Sequence, residues 1–90
     1  MAGHRIDITY CVPRDYSARA VGAARDLLTN YQHVIEDLTL TTGGDSVFDV
    51  TVDGDLIYSK AQTGRHAEPG EVLDLFADLM GSDVPRYGEE

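Results

Sequence analysis

One cysteine, one lysine and no long apolar run are the scarcities of this 90-residue chain. With Cys11 alone, no intramolecular disulfide can form, which suits a reducing compartment better than a bridge-stapled secreted scaffold. No stretch approaches the roughly 20 apolar residues of a membrane helix, and no apolar segment follows Met1, so the expected location is the cytoplasm, without a membrane partner. Lys60 is the single lysine, and acids outnumber bases for a formal net charge of −9. A surface of that sign repels phosphate backbones, and no local basic patch rescues it, so nucleic acid is not an expected partner. Arg5, Arg14, Arg19 and Arg25 are interleaved with Asp7, Asp15 and Asp26. An Asp-rich, lysine-poor surface also stays soluble in concentrated salt, where screening relieves its self-repulsion. A salt-adapted source follows as a hypothesis; a melting temperature that falls between dilute and molar salt would refute it.

What is present reads as one small domain. Ninety residues bury roughly 60 to 65 per cent of the unfolded surface, enough to fold without staples. There is no internal repeat and no linker. Ile6, Ile8 and Tyr10 alternate with Asp7 and Thr9, which predicts a strand over 5–10 buried on one side. From about Arg14 to Gln32 the period becomes helical, with Val21, Ala24, Leu28 and Tyr31 as the stripe and Ala20 and Leu27 beside it. Pro13 suits the first helical position. A strand over 35–42 (Leu38 and Leu40 against Thr39 and Thr41) completes a right-handed β-α-β unit with parallel strands. After Gly43-Gly44-Asp45, runs 47–52 and 56–59 flank Asp53-Gly54, a strong hairpin signal because a type I′ turn needs positive φ at both central residues. Residues 61–68 read as a polar connection. Pro69 then opens a helix carrying Val72, Leu75, Phe76, Leu79 and Met80, which Gly81 ends. The expected architecture is α/β in two layers, β-α-β-β-β-α, with a four-stranded mixed sheet and both helices on one face. The domain spans 1–80, and 81–90 reads as a flexible tail.

The chemistry concentrates where the first strand meets the first helix. Cys11 closes the strand, and Val12-Pro13-Arg14 leads into the helix, whose unpaired N–H groups and positive dipole end favour a thiolate, the reactive form of cysteine. Arg14 adds a permanent cation one turn away. Asp15, in the expected first turn, opposes a thiolate. Against this stands the plainer reading of Cys11 as a small apolar packing residue and of Arg14 as a solvated side chain. Tyr10 and Tyr16 beside the elbow read as packing residues. No metal is expected, because His4, His33 and His66 share no ligand spacing with each other or with Cys11. Without a Gly-x-Ser-x-Gly elbow or a base for Cys11, hydrolase chemistry is not expected either.

Four stretches carry a family resemblance: Ile8-Thr9-Tyr10-Cys11; Gly43-Gly44-x-x-Val47-Phe48-Asp49-Val50; Val52-Asp53-Gly54-Asp55-Leu56-Ile57-Tyr58-Ser59-Lys60; and Gly64-Arg65-x-x-Glu68-Pro69. In order and spacing the sequence resembles the Rdx family, the thioredoxin-like proteins related to selenoprotein W, from about residue 6 to residue 80. The resemblance implies a compact thioredoxin-like fold and thiol redox chemistry with glutathione or thiol-bearing protein partners, without a cofactor. It implies that Cys11 is the attacking cysteine and that the loop Thr42, Gly43, Gly44 and Ser46 lies close enough to hold a sulfur or a peptide-like backbone. The chain departs from the family at Arg14, which stands where the second sulfur or selenium would be, so a dithiol cycle is closed to it. His66-Ala67 also replaces a stretch that is more aromatic in the family. The expected function is therefore a redox protein working through a single cysteine, its mixed disulfide resolved by an external thiol. The alternative is a non-catalytic interaction module on the same fold, docking through the elbow, the glycine loop and residues 64–68. A polar outer sheet face argues for a monomer or a weak oligomer.

Overall fold

The computed structural model describes residues 3–89, so Met1, Ala2 and Glu90 lie outside the description. The chain runs β1 His4–Cys11, α1 Ser17–Tyr31, a 3₁₀ turn Gln32–Val34, β2 Ile35–Gly43, β3 Phe48–Val52, β4 Asp55–Ser59, α2 Lys60–Thr63 and α3 Glu71–Met80. The sheet order is β2-β1-β3-β4, with β1 and β2 parallel and the β1-β3 and β3-β4 pairs antiparallel. This is the expected mixed sheet, with the short α2 added.

Period two fixes which sheet face is buried. Ile6, Ile8, Phe48, Val50, Val52 and Tyr58 meet Ala20, Ala24, Leu27 and Tyr31 of α1 and Val72 and Phe76 of α3 in one core. Each fully buried large side chain there contributes about 1.5–3 kcal/mol of burial free energy. The opposite face is polar and half-buried, and Asp7 accepts hydrogen bonds on it from the hydroxyls of Thr9 (3.2 Å) and Thr41 (3.1 Å). At the hairpin, Asp53 (φ 53°) and Gly54 (φ 88°) both hold the positive φ that the Asp-Gly pair predicts.

Several expectations change. α1 starts at Ser17 instead of Arg14: residues 12–15 close a turn through Asp15 N–H to Val12 O (2.9 Å), with Pro13 at the second turn position that its fixed φ favours. Asp15 leaves that turn at φ 54°, which interrupts any helix reaching back to Pro13. Pro69 does not open α3 either, because Glu68-Pro69-Gly70-Glu71 forms a type II turn, closed by Glu71 N–H to Glu68 O (2.9 Å) with Gly70 at φ 84°. The buried arc of α1 is Ala20, Ala24, Leu27 and Tyr31, while Val21 and Leu28 are exposed; small Ala20 and Ala24 seat the helix close to the sheet. Leu79 of the α3 stripe is likewise exposed.

Residues 81–89 hold no helix or strand, yet they fold back on α1 where a flexible tail is expected. Tyr87 N–H donates to Asn30 O (2.6 Å), Arg86 donates to Asn30 Oδ1 (3.1 Å), and the Arg86 guanidinium lies 5.5 Å from the centre of the Tyr31 ring. An amphipathic arginine accounts for much of this, since its stem and planar head cover an aromatic that the helix alone leaves open. Among the described residues, no helix is long and apolar enough to cross a membrane.

Candidate functional site

Cys11 is the last residue of β1 and pairs with Gly43, the last residue of β2. The chain then leaves the sheet in the turn 12–15, pinned by Val12 N–H to Gly43 O (3.0 Å) and by Tyr16 N–H to Cys11 O (3.0 Å). Cys11 is a free thiol and only 1% exposed, whereas residues 12–15 above it are all exposed. The elbow therefore buries its cysteine instead of presenting it to water. Arg14 sits on the exposed turn with no ion pair or side-chain hydrogen bond among the described residues.

The glycine loop packs directly beside this elbow. A Cβ on Gly43 would fall 2.9 Å from Val47 Cγ1 and 3.1 Å from Thr9 Cγ2, so glycine is demanded there by close approach. Gly44 has open space around it and starts the turn that Val47 N–H closes on Gly44 O (3.1 Å). Asp45 (φ 53°) and Ser46 (φ 61°) occupy its centre, a left-handed pair built without glycine. Thr42 is exposed and Ser46 half-buried on this loop. Of the four described non-glycine residues with positive φ, Asp15, Asp45 and Ser46 lie in the two loops flanking Cys11, and Asp53 is in the hairpin. Backbone strain of this kind persists where surrounding structure enforces it, and it gathers at functional sites.

A third segment packs on Tyr16, the residue that follows the turn. His66 meets the Tyr16 ring edge-on, 4.3 Å between centroids, and the Phe48 ring at 6.4 Å. Its Nδ1 is buried without a hydrogen-bond partner, and burial pushes its pKa below the ordinary 6.5, with Arg19 and Lys60 pushing the same way. The imidazole is thus held neutral. Sequence reasoning saw His66 only as a substitute in an aromatic stretch; a histidine replacing an aromatic next to an elbow is the signal that it stands in for a ring.

Residues 64–71 are themselves clamped. Arg65 makes a bidentate pair with Glu71 (2.7 and 2.8 Å), whose Oε1 also accepts Glu68 N–H (2.9 Å). The guanidinium bond and that backbone donor lower the Glu71 pKa from 4.5 to about 2. Tyr58 Oη donates to Arg65 O from beneath. The elbow and the glycine loop thus flank one buried cysteine, and the His66 segment packs on Tyr16 just beyond the elbow. Among the described residues, no group of three or more His, Cys, Asp or Glu side chains could hold a metal ion.

Comparison with known proteins follows this geometry. The model of the Rdx family matches residues 5–78. A selenoprotein W-related protein from Vibrio cholerae shares the fold at TM-score 0.80 and 23% identity, covering 88% of this chain and 99% of its own. A protein from Bordetella parapertussis does so at TM-score 0.80 and 23% identity, covering 86% and 98%. No curated protein matches the chain.

Proposed function

Because the chain belongs to the Rdx family and has the thioredoxin-like fold of selenoprotein W-related structures, we propose that it is a thiol-based redox protein working through Cys11 alone. The observation that carries this reading is placement: the one cysteine ends β1 between two loops strained at Asp15, Asp45 and Ser46. The Cys11 thiolate attacks one sulfur of a disulfide R–S–S–R; a Cys11–S–S–R bond forms, the R–S–S–R bond breaks, and RS⁻ leaves with the electron pair. With Arg14 in the place of a second sulfur, a thiolate from a small thiol or a partner protein then attacks the R sulfur of the adduct and returns Cys11 as thiolate. At 1% exposure, attack requires a local opening around Cys11.

The test is the alkylation rate of Cys11 against pH, with mass spectrometry after exposure to oxidised glutathione and Cys11→Ser as the control. A mixed disulfide at Cys11 and alkylation confined to that residue are expected, both lost in Cys11→Ser. Absence of both would remove the reading. The near-complete burial of Cys11 favours a second one, a binding module that keeps the fold and docks through the elbow, the glycine loop and residues 64–68. In that case Cys11→Ser leaves capture of its partner unchanged.

A further inference from the structure

Away from the sulfur, α1 and the segment before α3 enclose a cleft of about 270 Å³, with Phe48 and Val72 among its walls. We propose that this cleft binds short free peptides through their two charged ends. It does not include Cys11, and the proposal does not rest on the redox reading.

The first ground is charge. Arg19, Arg25, Asp26 and Glu68 all line the cleft, and none of their side chains makes an ion pair among the described residues. Acids are in surplus on this chain, 16 against 7 lysines and arginines, and Arg5 and Arg65 do find carboxylates. Two cations and two anions left without partners around one cavity match a ligand that carries both signs. A phosphate-rich ligand would meet Asp26 and Glu68, and a simple acid would leave those two facing water.

The second ground is Gly22. A glycine inside a helix costs stability relative to alanine, and a Cβ here would meet no atom within 4 Å, so nothing in the chain's own packing asks for it. At about 100° per residue, Gly22 lies about 60° around the helix from Arg19 on one side and from Arg25 on the other. It leaves the backbone bare in the middle of the cleft wall, between the two cations. The volume lies just under the roughly 300–1,000 Å³ of pockets that hold drug-sized ligands, which limits the occupant to a dipeptide or tripeptide. Its carboxylate lies along Arg19 and Arg25, its ammonium against Glu68 and Asp26, and its stem over Gly22 and Val72.

The full chain, labelled with ¹⁵N, is titrated with Ala-Val-Ala and with the N-acetylated and C-amidated forms of the same peptide. Saturable amide shifts confined to residues 18–26 and 67–72 are expected for the free peptide, with each blocked form weaker by about tenfold, the worth of a charge-assisted contact. Arg19→Ala with Arg25→Ala gives the same loss, and Cys11→Ser gives none. Gly22→Leu, which fills the cleft from a good helix former, keeps the melting temperature and abolishes saturation. Gly22→Ala supports the same test with a smaller side chain, raising the melting temperature by a few degrees and weakening binding. No saturable shift, equal affinity for the blocked peptides, or full affinity in both Gly22 variants would each overturn the proposal. Shifts at residues 11–16 and 43–46 in place of the cleft would also overturn it, and would return attention to the elbow.

Discussion

The two ends of β1 are built by opposite rules. At its start, His4 Nδ1 lies 2.7 Å from Asp53 Oδ2, Arg5 N–H donates to Asp53 Oδ1 (2.9 Å), and Asp53 N–H donates to Arg5 O (2.8 Å). There the one residue with strained φ, Asp53, is repaid by its own carboxylate. At the strand's end, the strained residues are three, a buried ring nitrogen nearby lacks a partner, and a buried cysteine adjoins an exposed turn. The hairpin end is saturated and the cysteine end is not. Sequences that agree with their fold at every level tend to break that agreement at working sites, which is why the proposed site is put at the cysteine end of this sheet.

The contrast can be broken most forcefully at Gly43. Gly43→Ala forces a methyl against Val47 and Thr9, and we expect a loss of about 1–3 kcal/mol in urea unfolding, partly restored by Val47→Ala. Unchanged stability would show that the elbow is looser than its contacts. His66→Phe removes the unpaired nitrogen while keeping the ring against Tyr16, and should gain about 1 kcal/mol, read from the same denaturation curves. The wild-type chain should also lose stability as pH falls below the ordinary 6.5. The folded-state pKa of His66 is depressed, so the unfolded chain binds the proton first, and the His66→Phe variant should lack that slope. Ser46→Gly relieves a left-handed residue with no glycine-like freedom and should gain about 0.5–1 kcal/mol. Asp53→Gly, at the saturated end, should not stabilise, because the carboxylate it removes is bonded. The smallest effect belongs to the Arg65–Glu71 clamp. With the Glu71 pKa lowered from 4.5 to about 2, its contribution is present above pH 4.5 and disappears as pH falls toward 2, a limb that Glu71→Gln should flatten in thermal melts.

Most of the fold is legible in the sequence because period two and period 3.6 separate cleanly. The Ile6-Ile8 and Phe48-Val50-Val52 faces, the Asp53-Gly54 turn and the parallel β1-β2 pair all lie where alternation and turn chemistry place them. The helix starts are less legible. Pro13 and Pro69 fit the first position of a helix and the second position of a turn equally well, and φ at Asp15 and Gly70 decides between them. The arc of α1 is ambiguous for a related reason: Val21 and Leu28 are as apolar as the residues that are buried, and the close seat offered by Ala20 and Ala24 settles the rotation. At the site, the cysteine, the glycine loop and their adjacency are written in the motifs. The burial of the thiol and the edge-on contact of His66 with Tyr16 are not, since both depend on how loops meet.

The burial of Cys11 turns that residue into a clock. Any reagent that labels the sulfur can do so only during the moments when its surroundings open, so the observed rate is the intrinsic thiolate rate multiplied by the fraction of time spent open. Every 1.4 kcal/mol of opening free energy slows labelling about tenfold. Labelling speeds measured across the Gly43, Ser46 and His66 variants would therefore rank the stiffness of those surroundings directly, whatever the thiol is ultimately used for.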